Sequence, residues 1–252
     1  GMKKIILIGC SGILGKYFLK QLKKSSKVLV AADIDVKKNI KSKKFCKLKL
    51  NVENEEDVKL FFEEIFRKFG KFDVLINNAA LTSEGIKKIS KNKNFKENFD
   101  KDIWDKTNNI NLRGTFLAIK HFIGLHGDKK IKQKIINVGS IYGSFSPHHQ
   151  IYTNQKFYSS ASYSASKSGL IGLTKWMATD LAKKNTTCNM ITPGGVFNKQ
   201  NKKFVREYSK LLPLNKMAKE SDIYGLLKFL ISNDSNYITG QNIFVDGGFS
   251  IW

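Results

Sequence analysis

The most informative chemistry in this chain is carried by Tyr163 and Lys167, which lie four residues apart in a segment of helical character. Residues at that spacing project from one face of a helix and lie within mutual reach. A phenol titrates near pH ~10, and an adjacent ammonium favours the phenolate and lowers that pKa. The pair could therefore take a proton from an alcohol or return one to a carbonyl. The same spacing also arises by chance on solvated helix faces.

A glycine-rich segment, Gly9-Cys-Ser-Gly12-Ile-Leu-Gly15, lies between the first predicted strand and the first predicted helix. Gly9 permits a tight turn there, and Gly12 lets a pyrophosphate approach the backbone and the free N–H groups of the helix N-terminus. The alternative is a βα turn that binds no ligand.

Asp33 favours the ligand-binding interpretation because it ends the second predicted strand, where a carboxylate can bind both hydroxyls of an adenosine ribose. A carboxylate also repels a 2′-phosphate, so we predict NAD in preference to NADP. Lys37 and Lys38 nearby weaken that preference.

The composition is that of a globular protein, with 41% hydrophobic and 12% aromatic residues among 252. The net charge of +23 raises the possibility of nucleic-acid binding, but only three of the 44 basic residues are arginines and the lysines are spread over the whole chain. No apolar run approaches a membrane span. The three scattered cysteines, Cys10, Cys46 and Cys188, support neither disulfides nor a metal site. We predict a cytoplasmic protein that binds no nucleic acid, membrane or metal.

Apolar runs and helical patterns alternate along the chain, which predicts an α/β fold: a Rossmann-like, doubly wound parallel sheet with helices on both faces, in three layers. Strands are predicted at residues 4–8, 28–32, 46–50, 74–76, 134–138, 187–191 and 242–245. Helices are predicted at about 14–23, 55–69, 103–124 and 163–183. One domain over residues 2–252 is expected, with Gly1 a residue left from cloning.

Further motifs in a fixed order give the chain a resemblance, over nearly its whole length, to the short-chain dehydrogenase/reductase family. The matching pieces are the glycine turn, Asp33, Asn77-Asn-Ala-Ala80, Asn111, Ser140, Tyr163-x3-Lys167, Pro193-Gly194 and Val245-Asp-Gly-Gly248. The resemblance implies an NAD(P)-dependent oxidoreductase that interconverts an alcohol and a carbonyl by hydride transfer.

The resemblance also implies the roles of individual residues. Tyr163 would be the acid or base, Lys167 would lower its pKa and bind the nicotinamide ribose, Ser140 would hold the substrate oxygen, and Asn111 would help order a proton-relaying water. Simpler alternatives are that Ser140 satisfies a strand-end backbone group and that Asn111 is a packing residue. The implied cofactor-binding residues are Gly9, Ser11, Gly12, Ile13, Leu14, Gly15, Asp33, Ile34, Asn51, Val52, Asn78, Ala79, Ala80, Tyr163, Lys167, Pro193, Gly194 and Val196.

Two departures from the family pattern concern the cofactor end. The spacing Gly9-x2-Gly12-x2-Gly15 is that of the longer sugar-nucleotide epimerase/dehydratase branch, with Ile13 where the short branch has its middle glycine. Asn51 replaces an Asp that commonly touches adenine. The chain is nevertheless too short for the substrate domain of the longer branch.

Two long segments, residues 82–101 and 143–162, give a resemblance to the flagellin-modification oxidoreductase subgroup, which is thought to act on sugar or nucleotide-sugar intermediates. The second segment separates Ser140 from Tyr163 and is expected to select the substrate. Residues 194–217 are expected to form a mobile lid over it. The predicted substrate contacts are Ile141, Tyr142, His148, Tyr152 and Phe197; for His148 and its neighbour His149, a solvent-exposed loop position is the first interpretation.

Two other functions fit the same residues. The alternatives are an epimerase or dehydratase that retains NAD, and a cofactor-binding regulatory protein without activity. The family resemblance implies a homodimer or homotetramer packed through the helix that carries Tyr163, and Leu170, Leu173, Trp176 and Met177 supply apolar residues for such an interface.

Overall fold

A mostly parallel β-sheet forms the centre of the protein in the computed structural model, which describes residues 1–89, 100–124, 132–152 and 159–252. Its strands are β1 (Lys4–Ile8), β2 (Val28–Asp33), β3 (Ile40–Lys41), β4 (Phe45–Lys49), β5 (Val74–Asn77), β6 (Gln133–Val138), β7 (Thr186–Pro193) and β8 (Asn242–Val245). They lie in the order β3-β4-β2-β1-β5-β6-β7-β8, and β3 pairs antiparallel with β4. The predicted strands are confirmed with ends within two residues, and the short edge strand β3 is an addition.

The helices cover both faces of this sheet. They are α1 (Ile13–Ser25), α2 (Glu55–Phe69), α3 (Ser83–Ile89), α4 (Lys101–Asn108), α5 (Gly114–Gly124), α6 (Ala161–Leu181), α7 (Lys202–Ser209) and α8 (Glu220–Ile231). The helix predicted over 103–124 is confirmed as one continuous helical run, in which a π-helical turn, Asn109–Arg113, joins α4 to α5. Within the described ranges, none of the helices is long and apolar enough to cross a membrane.

Strand residues alternate between the two layers of the core. Ile6 and Ile8 pack on the side covered by α2, α5 and α6, whereas Ile5 and Leu7 pack on the side covered by α1 and α8. Because successive side chains of a strand point to opposite faces, a strand buried on both sides has to be apolar at every position. That requirement explains the uninterrupted apolar runs in the sequence.

The chain reverses its direction of travel across the sheet at β1. From β1 it proceeds through β2 to β4 on one side, and then crosses over to β5 and continues through β6 and β7 on the other. Ligands of open α/β sheets bind in the crevice outside the carboxyl ends of the strands at such a switch point. The glycine turn, which follows β1, lies at this position.

Buried amides join the sheet to α6. The Asn77 Nδ2 donates to Asn137 Oδ1 at 2.9 Å, and the Asn137 Nδ2 donates to Thr174 Oγ1 at 2.9 Å. All three side chains are buried. Since a buried amide is stable only when it is hydrogen-bonded, these bonds fix how α6 sits on β6.

Replacing Thr174 by Val should therefore destabilise the fold. The change keeps the shape of the side chain but removes the acceptor of the Asn137 amide, which should lower the free energy of unfolding by about 1–3 kcal/mol. Urea denaturation measures this. The control is Thr179→Val, an exposed position on the same helix, and equal effects of the two changes would contradict the argument.

Candidate active site

The turn after β1 requires glycine at its first position. Gly9 has a φ of 92°, in the left-handed region that other residues rarely adopt. A Cβ at this position would overlap the backbone of Ala79, which follows β5. The Asn78 Nδ2 donates to the Gly9 carbonyl at 2.7 Å and holds the two turns together.

The N-terminus of α1 presents bare backbone to the crevice. Gly12 is the N-cap residue and no side chain caps the first turn. A Cβ built on Gly12 would meet nothing within 4 Å, so the space beside it is open. Unpaired N–H groups and the positive end of the helix dipole favour an anion here. These residues fit the pyrophosphate of a dinucleotide.

Asp33 is oriented at the end of β2 by two backbone donors. Its Oδ2 accepts from the Ser11 N–H at 2.8 Å, and its Oδ1 accepts from the Asp35 N–H at 3.0 Å. Each carboxylate oxygen keeps further acceptor capacity. The carboxylate is thus fixed beside the glycine turn, where a ribose bound with the pyrophosphate on α1 would reach it.

Other predicted cofactor residues lie around this crevice with their own local contacts. Ile34 is 50% exposed. The Asn51 Oδ1 accepts from the Glu53 N–H at 3.1 Å, which shapes the turn before α2. Val52 is buried against the position of Gly114. Among these, Asn51 uses its side-chain oxygen on its own turn.

The structure brings Ser140, Tyr163 and Lys167 together. Ser140 follows β6, its Oγ accepts from the Tyr142 N–H at 3.2 Å, and its side chain is hydrogen-bonded to that of Tyr163. The Ser160 side chain caps the start of α6 by accepting from the Tyr163 N–H at 3.1 Å. The Lys167 Nζ donates to the Val138 carbonyl at 2.8 Å. A strand end and a helix start thus place the hydroxyl, the phenol and the ammonium at one point.

Burial shifts the pKa values of Tyr163 and Lys167 in opposite directions. Burial raises the pKa of the Tyr163 phenol, and the hydrogen bond from Ser140 only opposes that rise. Burial lowers the pKa of Lys167 to about 8. Its Nζ lies 5.7 Å from the centre of the Tyr163 ring. Desolvation is the larger of the two effects on the Tyr163 phenol, and the lowering of its pKa by Lys167 stays a prediction.

Asn111 lies in the π-helical turn, and its side chain is fully buried. The Oδ1 accepts from the Leu81 N–H at 2.6 Å, while the Nδ2 donates to the Leu81 carbonyl at 3.3 Å and to Ser166 Oγ at 3.0 Å. The side chain thus clamps the segment after β5 to α6. Ordering of a water by Asn111 stays a prediction. Ser166 was missed by the sequence analysis, although it directly precedes Lys167.

Two further tyrosines, Tyr142 and Tyr152, lie close to Tyr163. The hydroxyls of Tyr142 and Tyr152 are hydrogen-bonded at 2.6 Å, and burial raises the pKa of both phenols. Ile141 is buried beneath them. Residues 153–158 of the second long segment lie outside the described residues, as do residues 90–99 of the first.

The remaining predicted substrate residues are more open. The exposed ring of His148 meets the edge of Phe249, with ring centres 5.6 Å apart, which agrees with a surface position. Phe197 is 47% exposed. Across the described ranges, no group of three or more His, Cys, Asp or Glu side chains is placed to hold a metal ion.

The segment after β7 closes the site. The Gly194 N–H donates to the Val245 carbonyl at 2.9 Å, and Val196 forms a parallel bridge with Ala218. The predicted lid contains α7, whose buried residue Tyr208 accepts a hydrogen bond from the Gly195 N–H. The role of Tyr208 was missed, since its signal in the sequence was only its place among apolar lid residues.

An α/β protein with a crevice that fits a dinucleotide and a Ser-Tyr-Lys group beside it is the class that fold and site define. Comparison with known proteins assigns the family: the chain belongs to the short-chain dehydrogenase/reductase family and is an oxidoreductase. A family model described as enoyl-(acyl carrier protein) reductase matches residues 20–250.

Two relatives are similar over nearly their whole length. The chain is 32% identical over 257 residues to a 3-oxoacyl-(acyl-carrier-protein) reductase of Buchnera aphidicola, covering 98% of this chain and 97% of the relative. It is 29% identical over 258 residues to the post-translational flagellin modification protein A of Campylobacter coli, covering 99% and 98%.

Solved structures agree on the fold. A short-chain dehydrogenase of Leptospira borgpetersenii with bound NAD⁺ superposes with a TM-score of 0.87 at 30% identity, covering 99% of this chain and 94% of that one. A ligand-free aldohexose dehydrogenase of Thermoplasma acidophilum gives a TM-score of 0.82 at 22% identity, covering 100% and 95%, and supports the fold alone.

Two alanine substitutions should separate the roles of the glycines. Gly12→Ala should leave the free energy of unfolding unchanged, because a Cβ there meets open space, yet should weaken NADH binding by roughly tenfold or more by occupying the phosphate side of the turn. Gly9→Ala should lose both stability and binding, because of its φ and its contact with Ala79. Thermal melts and NADH fluorescence titrations measure these effects. Equal destabilisation by both changes would contradict this division.

Proposed function

We propose that this oxidoreductase interconverts an alcohol and a carbonyl by hydride transfer, with NAD as its preferred cofactor and Tyr163 as the acid or base. The observation that carries the proposal is the hydrogen-bonded pair of Ser140 and the partly buried Tyr163, with the buried Lys167 beside it. A nicotinamide cofactor, when bound, supplies or accepts the hydride. Asp33 supports NAD over NADP because a 2′-phosphate would meet its carboxylate.

The protein's own groups handle the proton and the developing charge. Ser140 holds the substrate oxygen within reach of the Tyr163 phenol, and the phenol gives its proton to that oxygen as the carbonyl is reduced. The phenolate left behind is stabilised by the ammonium of Lys167 and by the Ser140 hydroxyl. The bond from Lys167 to the Val138 carbonyl holds the ammonium in place while this charge forms.

Reduction is the proposed direction at neutral pH. Burial raises the pKa of Tyr163, so the phenol is protonated and ready to donate. The Buchnera relative is named as a reductase, which supports the same direction for this chain. An epimerase or dehydratase would give no net change in nicotinamide absorbance, and that measurement separates the two functions.

For the substrate we propose a sugar or nucleotide-sugar intermediate. The neutral hydroxyl pair of Tyr142 and Tyr152 supports this, since paired hydroxyls suit a polyhydroxylated ligand better than an acyl chain. The similarity to the flagellin modification protein of Campylobacter coli points the same way. A 3-oxoacyl thioester is the second candidate, favoured by the identity to the Buchnera reductase. Assaying oxidised sugars against 3-oxoacyl thioesters with NADH and NADPH distinguishes the two.

Tyr163→Phe is expected to abolish turnover and leave NADH binding nearly intact, because the ring stays but the proton donor is lost. General acid catalysis contributes roughly 10²- to 10⁴-fold, so kcat should fall by at least that factor. The matched control is Tyr224→Phe on α8, which packs against Tyr17 away from the site. Near-full activity of Tyr163→Phe would overturn the mechanism.

The rate of reduction should fall as the pH rises through about 8, the pKa of Lys167. Below that pH the lysine is charged and stabilises the forming phenolate, whereas above it the charge is lost. Lys167→Arg keeps its charge at all accessible pH values, so its pH profile should lack this fall even if its overall rate is lower. A fall at the same pH in both proteins would assign it to another group.

We further propose a homo-oligomer that packs through α5 and α6. An apolar groove of about 610 Å³ is lined by residues of α4, the π turn, α5 and α6. Two of its lining residues, Trp176 and Phe116, are 62% and 42% exposed. A lone protein rarely leaves two such aromatic side chains together in water, and buried tryptophans often dominate interfaces.

Trp176→Glu should disrupt this assembly. Losing an interface hot spot of about 2 kcal/mol would raise the dissociation constant roughly 30-fold, and a buried charge would raise it further. Light scattering after size exclusion measures the mass. Tyr237→Phe, at a fully exposed residue, is the control, and a wild-type protein that runs as a monomer would contradict the proposal.

A further inference from the structure

The residue that follows Pro193-Gly194 has an unusual hydrogen-bond partner. The Gly195 N–H donates to the phenol oxygen of Tyr208 at 2.7 Å. The Gly195 carbonyl accepts from the Ala218 N–H at 3.0 Å, so this segment is tied on one side to a backbone and on the other to a side chain of α7. The hydrogen bond to Tyr208 is the one that joins this segment to α7.

Tyr208 is held in this position by burial and by stacking. It is 2% exposed, and its ring stacks on Phe204 with centres 5.8 Å apart and planes 25° from parallel. Burial raises the pKa of Tyr208, which keeps the phenol neutral. The close approach of Tyr208 requires glycine at position 195, because a Cβ there would lie 2.5 Å from the Tyr208 Cζ. The absence of a side chain at 195 is what allows the contact.

The contact continues to the catalytic side of the site. The ring of Phe204 lies 5.4 Å from that of Tyr152, whose hydroxyl is bonded to Tyr142. The Tyr142 N–H donates to Ser140 Oγ. A continuous set of contacts therefore runs from the segment after β7, through α7 and the second long segment, to the turn that carries Ser140.

We propose that Tyr208 is a positioning residue: by accepting the Gly195 N–H it holds α7 closed over the segment after Pro193 and sets the wall between cofactor and substrate. It acts through Gly195 and touches no reacting atom. The inference rests on the proposed function only in taking the segment after Pro193 as the border of the nicotinamide.

Tyr208→Phe tests the proposal, because it keeps the ring and its stacking while removing the acceptor. Hydrogen exchange followed by mass spectrometry should show the Gly195 amide exchanging about tenfold faster, since a buried N–H without a partner opens more readily. Trypsin cleavage in the lid, after Lys199, Lys202 or Lys203, should accelerate by a similar factor. Exchange in β1 and β6 should stay as in the wild type, as should all of these measurements in Tyr224→Phe.

A second variant makes the test independent of the phenol. Gly195→Ala pushes against the Tyr208 ring and should produce the same acceleration, and the double variant should add little because both changes break one contact. Wild-type exchange at Gly195 in Tyr208→Phe would overturn the proposal. Equal acceleration in β1 and β6 would also overturn it, since that indicates general destabilisation.

Binding of NADH to the wild type separates this inference from the proposed function. If NADH binds and slows cleavage of the lid in the wild type but slows it less in Tyr208→Phe, both are supported. If NADH fails to bind while Tyr208→Phe still accelerates exchange at Gly195, the contact stands and the proposed function fails.

Discussion

Burial of a parallel sheet on both faces is the constraint on which the rest of this structure depends. Two helical layers cover the strands, α1 and α8 on one side and α2, α5 and α6 on the other. Because the strands run in the same direction, their carboxyl ends meet at one edge. Four of the candidate site residues lie at that edge: Asp33 ends β2, and Gly9, Asn78 and Ser140 come after β1, β5 and β6. Residues that are distant in sequence become neighbours there without any special arrangement of the loops.

Burial also sets the chemical state of the candidate catalytic group. Water is withdrawn from both Tyr163 and Lys167, so the pKa of the phenol rises and that of the amine falls. Burial alone favours the neutral phenol of Tyr163 and the neutral amine of Lys167. A phenolate at Tyr163 and an ammonium at Lys167 stabilise each other, because each is the counter-charge of the other. A phenol that donates its proton beside a charged lysine is the arrangement that this balance supports. In the proposed mechanism, the hydroxyl of Ser140 holds the oxygen that receives the proton.

The two sides of the site differ in the groups that form them. The cofactor side consists of backbone groups and tight turns, held by bonds such as that from Asn78 to Gly9. The proposed substrate side consists of aromatic side chains from α7 and from the second long segment, including Tyr152 and Phe204. The backbone groups of the cofactor side are positioned by the parallel sheet. The aromatic side chains come from α7 and from the second long segment. This division explains how relatives near 30% identity share the architecture while their names refer to different substrates.

The sequence by itself determined the order of strands and helices, because apolar runs reflect burial of each strand on both faces, and the sequence was sufficient to select Ser140, Tyr163 and Lys167. It did not show the edge strand β3, whose two exposed residues, Ile40 and Lys41, are too few to form an apolar run. It did not show the π turn inside the predicted helix at Asn111, where contacts with Leu81 and Ser166 accompany that turn. It did not show that burial raises the pKa of Tyr163, and it did not reveal the bond between Tyr208 and Gly195. Only the tertiary structure decided these features, because desolvation and contacts between distant segments depend on how the chain packs and leave no local pattern.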